Sequence, residues 1–356
     1  MKAWLLCSCL LAQVPEMTAD GFLVARTGHR FSFPADHGSH PGFRSEWWYY
    51  TGLLKDPEGH VYGFQLTFFR QASPPAAWRG NAHWQSDQLY LAHAALTDVA
   101  GKRFAYEERL NRGGLLAGAA EGGLRVFNGA WSAREEGAQQ HLRFSVEGRS
   151  LALDLRPLSP PVVFGEAGVS RKGDEPTAAS HYVTFPRMEA RGDLREDART
   201  KPLSGQVWMD HEWSSNQLSA GQVGWDWAGL RLRDGRSLMA YRLRRADGSA
   251  DPWSTLTEVD ARGRVARSTR AWAMTAQGQW TSPHSGTTYP AAMTIRAWGE
   301  AWVLEPLLAD QELRTRRSNG ISYWEGACRV RDAAGAEVGE GYLELTGYAG
   351  SLQGRF

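Results

Sequence analysis

Alternation of apolar and polar residues, cut by short turn signals, is the feature that most limits what this chain can fold into. In "HVYGFQLTFFR", Tyr62, Phe64, Leu66 and Phe68 share one face, with Val61, Gln65 and Thr67 on the other. A period of two is the mark of a strand. The preceding "EWWYYTGLL" reaches it through "KDPEGH", a Pro-Gly turn, so the two form a hairpin. Glu46, Trp48 and Tyr50 then share one face of that first strand, and Trp47 and Tyr49 the other.

The pattern recurs. "LYLAHAALTD" turns at "VAGK" into "RFAYEERL", and "LRFSVEGRSLALDLRP" bends at Glu147-Gly148. "WAGLRLRDGRSLMAYRLRRADG" turns at Asp234-Gly235, "LTEVDARGRVARS" at Arg262-Gly263, and "CRVRDAAGAEVGEGYLELTGY" is a further hairpin. Short strands at this spacing make an all-β chain, a sandwich or a barrel. The one weak helical candidate is "LLADQELRTRR", Leu307–Arg317.

A length of 356 residues suggests two domains. Residues 1–20 read as a leader, 21–200 as an N-terminal domain and 201–356 as a C-terminal one. The polar, Pro/Gly-bearing stretch Pro157–Ser180 is either a linker or a long loop within the first domain. "MKAWLLCSCLLAQ" resembles a secretory signal, and its Leu-Cys-Ser-Cys stretch ending at Cys9 is close to a bacterial lipid-attachment box. The expected location is therefore periplasmic or secreted, with a cytoplasmic or inner-membrane peripheral site as the alternative. Association with a membrane surface fits both. No apolar run is long enough for a spanning helix. Outside the leader only Cys328 remains, so no internal disulfide is expected. Forty basic and 39 acidic residues leave a net charge of +1, with no basic stripe to track a phosphate backbone, which excludes nucleic acid as the expected partner. Oligomeric state has no signal in the sequence.

Tryptophan is the compositional outlier, with 16 copies, and it gathers with acids in "FPADHGSHPGFRSEWWYY", "GQVWMDHEWSSNQ" and "GQVGWDWAGLRL". If "VWMDHEW" is a strand, Trp208, Asp210 and Glu212 point one way, and Met209, His211 and Trp213 the other. In "GWDWA", Trp225 and Trp227 oppose Asp226. An acid among indoles is desolvated, which favours its neutral form, and a neutral carboxylic acid can donate a proton. Glu46, Asp210, Glu212 and Asp226 are candidates for that role. The plain alternative is that they accept indole or arginine hydrogen bonds and satisfy buried polar groups. Asp36, His37 and His40 are close together, and Asp210-His211-Glu212 offers three ligand types. No metal signature accompanies them, and neighbours on a strand face opposite ways, so no metal is expected. Nucleophile elbows and nucleotide cradles are missing from the sequence.

With these clusters in view, the chain resembles the AttH/carotenoid 1,2-hydratase family, a lipocalin-like superfamily. The resemblance is carried by "FPADHGSHPGFRSEWWYYTG", "YGFQLTFFR", "GQVWMDHEWSS", "GWDWAGLRLRDGRSLMAYRLRRADG" and "YWEGACRV…GYLELTGYAG", in that order from Phe31 to Gly350. It implies two consecutive lipocalin-like β-barrel domains packed together, with these motifs around an apolar cavity. It also implies a small isoprenoid, polyene or acyl ligand.

On that basis the expected function is binding of a long apolar ligand in the cell envelope. The alternative is a hydratase that adds water to an isoprenoid double bond, and a secreted hydrolase is a lesser one. Protonating an alkene to a tertiary carbocation calls for a buried neutral acid and aromatic faces, without metal or organic cofactor. Asp210 or Glu212 is the expected acid, His211 the group that orients water, and Trp213, Trp225 and Trp227 the lining. Asp226 is a further candidate for the acid. Glu46, Trp47, Trp48, Tyr49, Trp208 and Tyr241 complete the expected ligand contacts, with Glu46 and its neighbours facing a cavity or the other domain. A hydratase of the family is expected to carry an acid just after Tyr241, where this chain has Arg242, Leu243 and Arg244.

Overall fold

The computed structural model describes residues 16–73 and 87–354 and is all-β apart from a single 3-10 turn, Ala35–His37. Most of the expected leader lies outside the described residues. Asp20, at its end, pairs with Arg44. Among the described residues no helix is long and apolar enough to cross a membrane.

The first sheet takes every strand from β1 to β13. These are β1 (Ser45–Lys55), β2 (Val61–Ala72), β3 (Gln88–Asp98), β4 (Arg103–Arg112), β5 (Ala117–Ala119), β6 (Arg125–Asn128) and β7 (Trp131–Glu136), then β8 (Gln139–Val146), β9 (Arg149–Pro157), β10 (Val162–Val163), β11 (Ser170–Arg171), β12 (Ala179–Glu196) and β13 (Arg199–Ser214). The second sheet holds β14 (Gln222–Leu232), β15 (Ser237–Arg245), β16 (Thr255–Val259), β17 (Val265–Thr269), β18 (Ala273–Thr281), β19 (Thr288–Ala297), β20 (Glu300–Pro306), β21 (Glu312–Thr315), β22 (Ile321–Arg331) and β23 (Glu337–Leu345). The first curls into a nearly closed barrel and the second into a half-barrel, the lipocalin-like arrangement.

Each hairpin read from the sequence is present. At the β8–β9 turn Glu147 and Gly148 have φ of 46° and 78°, the left-handed pair of a type I′ turn, which suits the twist of the strands it joins. The stretch 157–180 is internal to the first sheet, because β10 and β11 within it pair with β12. The change of sheet falls between Ser214 and Gln222, so a division at residue 200 passes through β13, which β1 and β12 hold on either side. The segment expected to be helical, Leu307–Arg317, instead contributes β21 to the edge of β22, with Leu313 and Thr315 buried.

The two faces of β1 do different work. Trp48, Tyr50 and Leu54 enter the core of the first barrel. Tyr49 and Leu53, with Trp208 of β13, pack against Trp227, Met239, Tyr241 and Tyr342 of the second sheet, so the barrels share one apolar interface. Each aromatic buried there removes roughly 150–250 Å² from water. Polar bonds cross it as well: His93 Nδ1 lies 2.8 Å from the Tyr323 hydroxyl, Thr97 Oγ1 donates to Gln311 Oε1 at 2.8 Å, and Arg187 donates to the Leu232 carbonyl at 2.6 Å.

Candidate active site

Strand register brings acids and aromatics together between the barrels. Across β1 and β13, Trp47 stands opposite Glu212 and Tyr49 opposite Asp210. Across β14, β22 and β23, Trp227 stands opposite Glu344, and Glu344 opposite Glu325. These residues line a partly open cavity of about 60 Å³. Thr67, Phe69, Tyr182 and Gln217 complete its wall on the first barrel, and Trp225, Tyr241 and Tyr323 on the second.

Asp210 is the most elaborately held of the acids. Trp208 Nε1 donates to its Oδ1 at 2.7 Å, and the Tyr182 hydroxyl to its Oδ2 at 2.7 Å. Trp227 Nε1, from the other barrel, donates to the same hydroxyl at 3.0 Å. Burial pushes the Asp210 carboxyl up to about 7, over the opposing pull of these hydrogen bonds. Glu212 forms an ion pair with Lys172 at 3.0 Å, and the Lys172 ammonium lies 3.9 Å above the ring of Tyr241. That pairing suits a carboxylate.

Glu325 and Glu344 face each other as cross-strand neighbours, an arrangement in which two negative charges repel. Burial, and then the charge of Glu344, hold Glu325 well above the usual carboxylate range. Burial likewise raises Glu344, despite the hydrogen bond of 3.1 Å from Trp225 Nε1. Both effects favour a proton shared by the pair. Glu325 Oε1 and the Tyr49 hydroxyl, both buried, have no partner that meets hydrogen-bond geometry among the described residues.

The other expected residues point elsewhere, because strand side chains alternate. Glu46, Trp48, His211 and Trp213 lie on the opposite faces of β1 and β13, at the end of the first barrel. The expected orientation of the first strand is thus reversed: Trp47 and Tyr49 meet the cavity, and Glu46 does not. His211 cannot orient water for Asp210 from the far side of β13, and Trp213 cannot line the ligand. Asp226 also faces away, with Arg242 at 2.7 Å, Arg244 at 3.3 Å and the Tyr348 hydroxyl at 3.1 Å, a charge-matched support for β14. The arginines following Tyr241 belong to that support. Trp208 reaches the site through its bond to Asp210. Sequence reading missed Glu325, Glu344, Tyr182 and Lys172. A signal existed for the first two, since each glutamate follows a tyrosine by two positions in an apolar strand, "YWE" and "YLE", and so shares its face.

The AttH-like family matches residues 24–348 of the chain. A Nitrosomonas europaea protein described as an AttH has a TM-score of 0.82 and 36% identity, over 90% of this chain and 98% of its own. Kievitone hydratase from Nectria haematococca gives 0.66 at 12% identity, over 94% and 96%. CghA, solved with Sch210972, gives 0.53 at 14%, over 94% and 98%. The last two likenesses are of fold. No curated protein matches the chain.

Proposed function

The chain belongs to the AttH-like family, and from that premise we propose that it is an acid catalyst of the hydro-lyase type, acting on an apolar, unsaturated ligand held between its barrels. The observation that carries this reading is a set of fully buried carboxyls, Asp210 and the cross-strand Glu325–Glu344 pair, whose burial favours the protonated form, in a cavity walled by aromatic rings. A carrier of a purely apolar ligand has no use for them, and each such group costs stability when desolvated.

Glu325 is the donor in this reading, because it faces Glu344 across the strands, and burial and that neighbour both push its carboxyl towards the neutral form. Its proton passes to one carbon of a trisubstituted double bond and leaves a tertiary carbocation on the other. The faces of Trp47, Tyr49, Trp225, Trp227 and Tyr241 stabilise that cation, by roughly 0.5–2 kcal/mol each. Water adds to the cationic carbon, and the proton it sheds returns to the Glu325–Glu344 pair, so the site ends as it began. Asp210, fixed by bonds from both barrels, holds the second acid edge of the cavity. Kievitone hydratase shares the fold and is named for this class of reaction, which supports the reading.

The test is incubation with a panel of isoprenoid alkenes, an acyclic carotenoid and a prenyl-substituted phenol among them, in oxygen-18 water. One labelled oxygen per product is expected, with turnover reduced about 10²–10⁴-fold in Glu325→Gln. Ligand retained without label would put the carrier function in its place.

A further inference from the structure

The polar cluster on the far side of β1 and β13 has no part in that chemistry, and its hydrogen bonds do not add up. His40 Nδ1 lies 2.8 Å, and His211 Nε2 2.9 Å, from one oxygen, Glu46 Oε1. The three atoms fall within 4.8 Å of one another. The second nitrogen of each ring also faces an acceptor: His40 Nε2 is 3.1 Å from Asp36 Oδ1, and His211 Nδ1 is 3.1 Å from the Asp36 carbonyl oxygen. A neutral imidazole has a single N–H. With that N–H given to Asp36, each ring aims a lone pair at a carboxylate oxygen. Arg70 does not settle the ring contacts, since its Nε donates to the other oxygen, Oε2, at 2.8 Å, joined there by Ser39 Oγ at 3.0 Å, and the His40 backbone N–H is shared between Oε1 at 3.1 Å and Oε2 at 3.0 Å.

Convergent lone pairs, with each outer N–H held by a carboxylate or a backbone carbonyl, are the arrangement of metal-ligating histidines. Ligand atoms of a tetrahedral ion with bonds of about 2.0–2.1 Å lie about 3.3–3.4 Å apart, so each nitrogen has to draw back from Glu46 Oε1 by about half an ångström to admit the ion. We propose that His40 Nδ1, His211 Nε2 and Glu46 Oε1 bind a divalent transition-metal ion of the zinc class, with Asp36 orienting both rings. Two histidines and one carboxylate suit such ions and not calcium or magnesium.

Packing fixes the ligands in advance. The His40 ring stacks on Trp213 at 3.8 Å between centroids and 5° between planes, and His211 stacks on Trp48 at 4.8 Å. Glu46 and His211 side chains are fully buried, while the His40 side chain is 15% exposed, which makes its side the route of entry. The ion ties the segment around Ala35–His37 to β1 and β13 and so locks it over the barrel's end. The site is separate from the cavity and stands or falls independently of the proposed reaction.

The test uses the whole chain, stripped with a chelator and titrated calorimetrically with zinc chloride. One saturable site per chain is expected, lost in His40→Ala and His211→Ala. Asp36→Asn, which alters an orienting group and no ligand, is expected to weaken it about 10–100-fold. A variant at His211 can fail to fold, so cobalt(II) loading of the unaltered chain gives a second readout. The visible absorption of a nitrogen- and oxygen-ligated ion, discharged by zinc, is the supporting result. Absence of both saturable zinc binding and the cobalt spectrum would overturn the site and assign the ring contacts to additional protons. Binding unchanged in a folded His40→Ala variant would overturn it too, by placing the zinc on other histidines.

Discussion

Replacing Asp210 with asparagine tests whether the cavity holds its acids in the neutral form. In the folded chain this carboxyl ionises at about 7, against 3.8 for the free side chain. A raised folded value means that the native state binds the proton more tightly than the unfolded chain does. The stability this contributes is complete below the unfolded value and is lost as pH climbs through the folded one. From about pH 5 to about pH 8, linkage assigns Asp210 a loss of about 2–3 kcal/mol. Only 3% of the residue is exposed, so solvent screening takes little from that figure. Asparagine cannot ionise. It keeps an acceptor for Trp208 Nε1 but turns an amide N–H₂ toward the Tyr182 hydroxyl, a mismatch of about 1–2 kcal/mol that does not vary with pH. Urea unfolding of both chains at the two pH values isolates the effect, because titrating groups that do not interact with Asp210 cancel in the difference. The gap in unfolding free energy is expected to move by about 2–3 kcal/mol in the variant's favour at the higher pH. A gap that stays constant, or moves the other way, would refute a neutral Asp210.

Tyr182→Phe removes a donor that favours the Asp210 carboxylate, so its ionisation should shift above about 7, with about 1 kcal/mol of stability lost; a downward shift in a carbon-13 carboxyl titration would contradict this. In Gly63→Ala the added Cβ would stand 2.8 Å from Ala327 Cβ and 2.9 Å from the Tyr342 hydroxyl, across the junction of the barrels. A loss of about 1–3 kcal/mol is expected, and an unchanged denaturation midpoint would show that the junction yields freely. Lys172→Met strands Glu212 in a buried site, where both side chains are at most 5% exposed. Removing one partner of such a pair costs about 3–5 kcal/mol at neutral pH. A denaturation midpoint equal to that of the unaltered chain would count against the pairing.

Much of the fold was legible because it rests on local rules. The period-two faces of "EWWYYTGLL" and "VWMDHEW" and the glycine-bearing turns give strands and hairpins without knowledge of long-range pairing. Two things were not local. Which face of a strand meets the core depends on the partner sheet, and so Glu46 and His211 were assigned to the cavity although they close the end of the first barrel. The boundary near residue 200 depended on β13 pairing with β1, a contact across nearly half of the chain that no short window reveals. Asp210 and Glu212 were found because indoles surround them in sequence. Lys172 came from a polar stretch with no pattern, and Glu325 and Glu344 gain their meaning only from facing each other across β22 and β23. In the proposed reaction the acid sought just after Tyr241 comes from those two strands instead.

The most direct measurement is the infrared spectrum of the unaltered chain near pH 7, compared with Glu325→Gln and Asp210→Asn in light and heavy water. The expected result is a carbonyl stretch of protonated carboxylic acid that shifts on deuteration and loses intensity in each variant. A spectrum with only carboxylate bands at that pH would mean the cavity has no proton to give, and the proposed chemistry would fail with it.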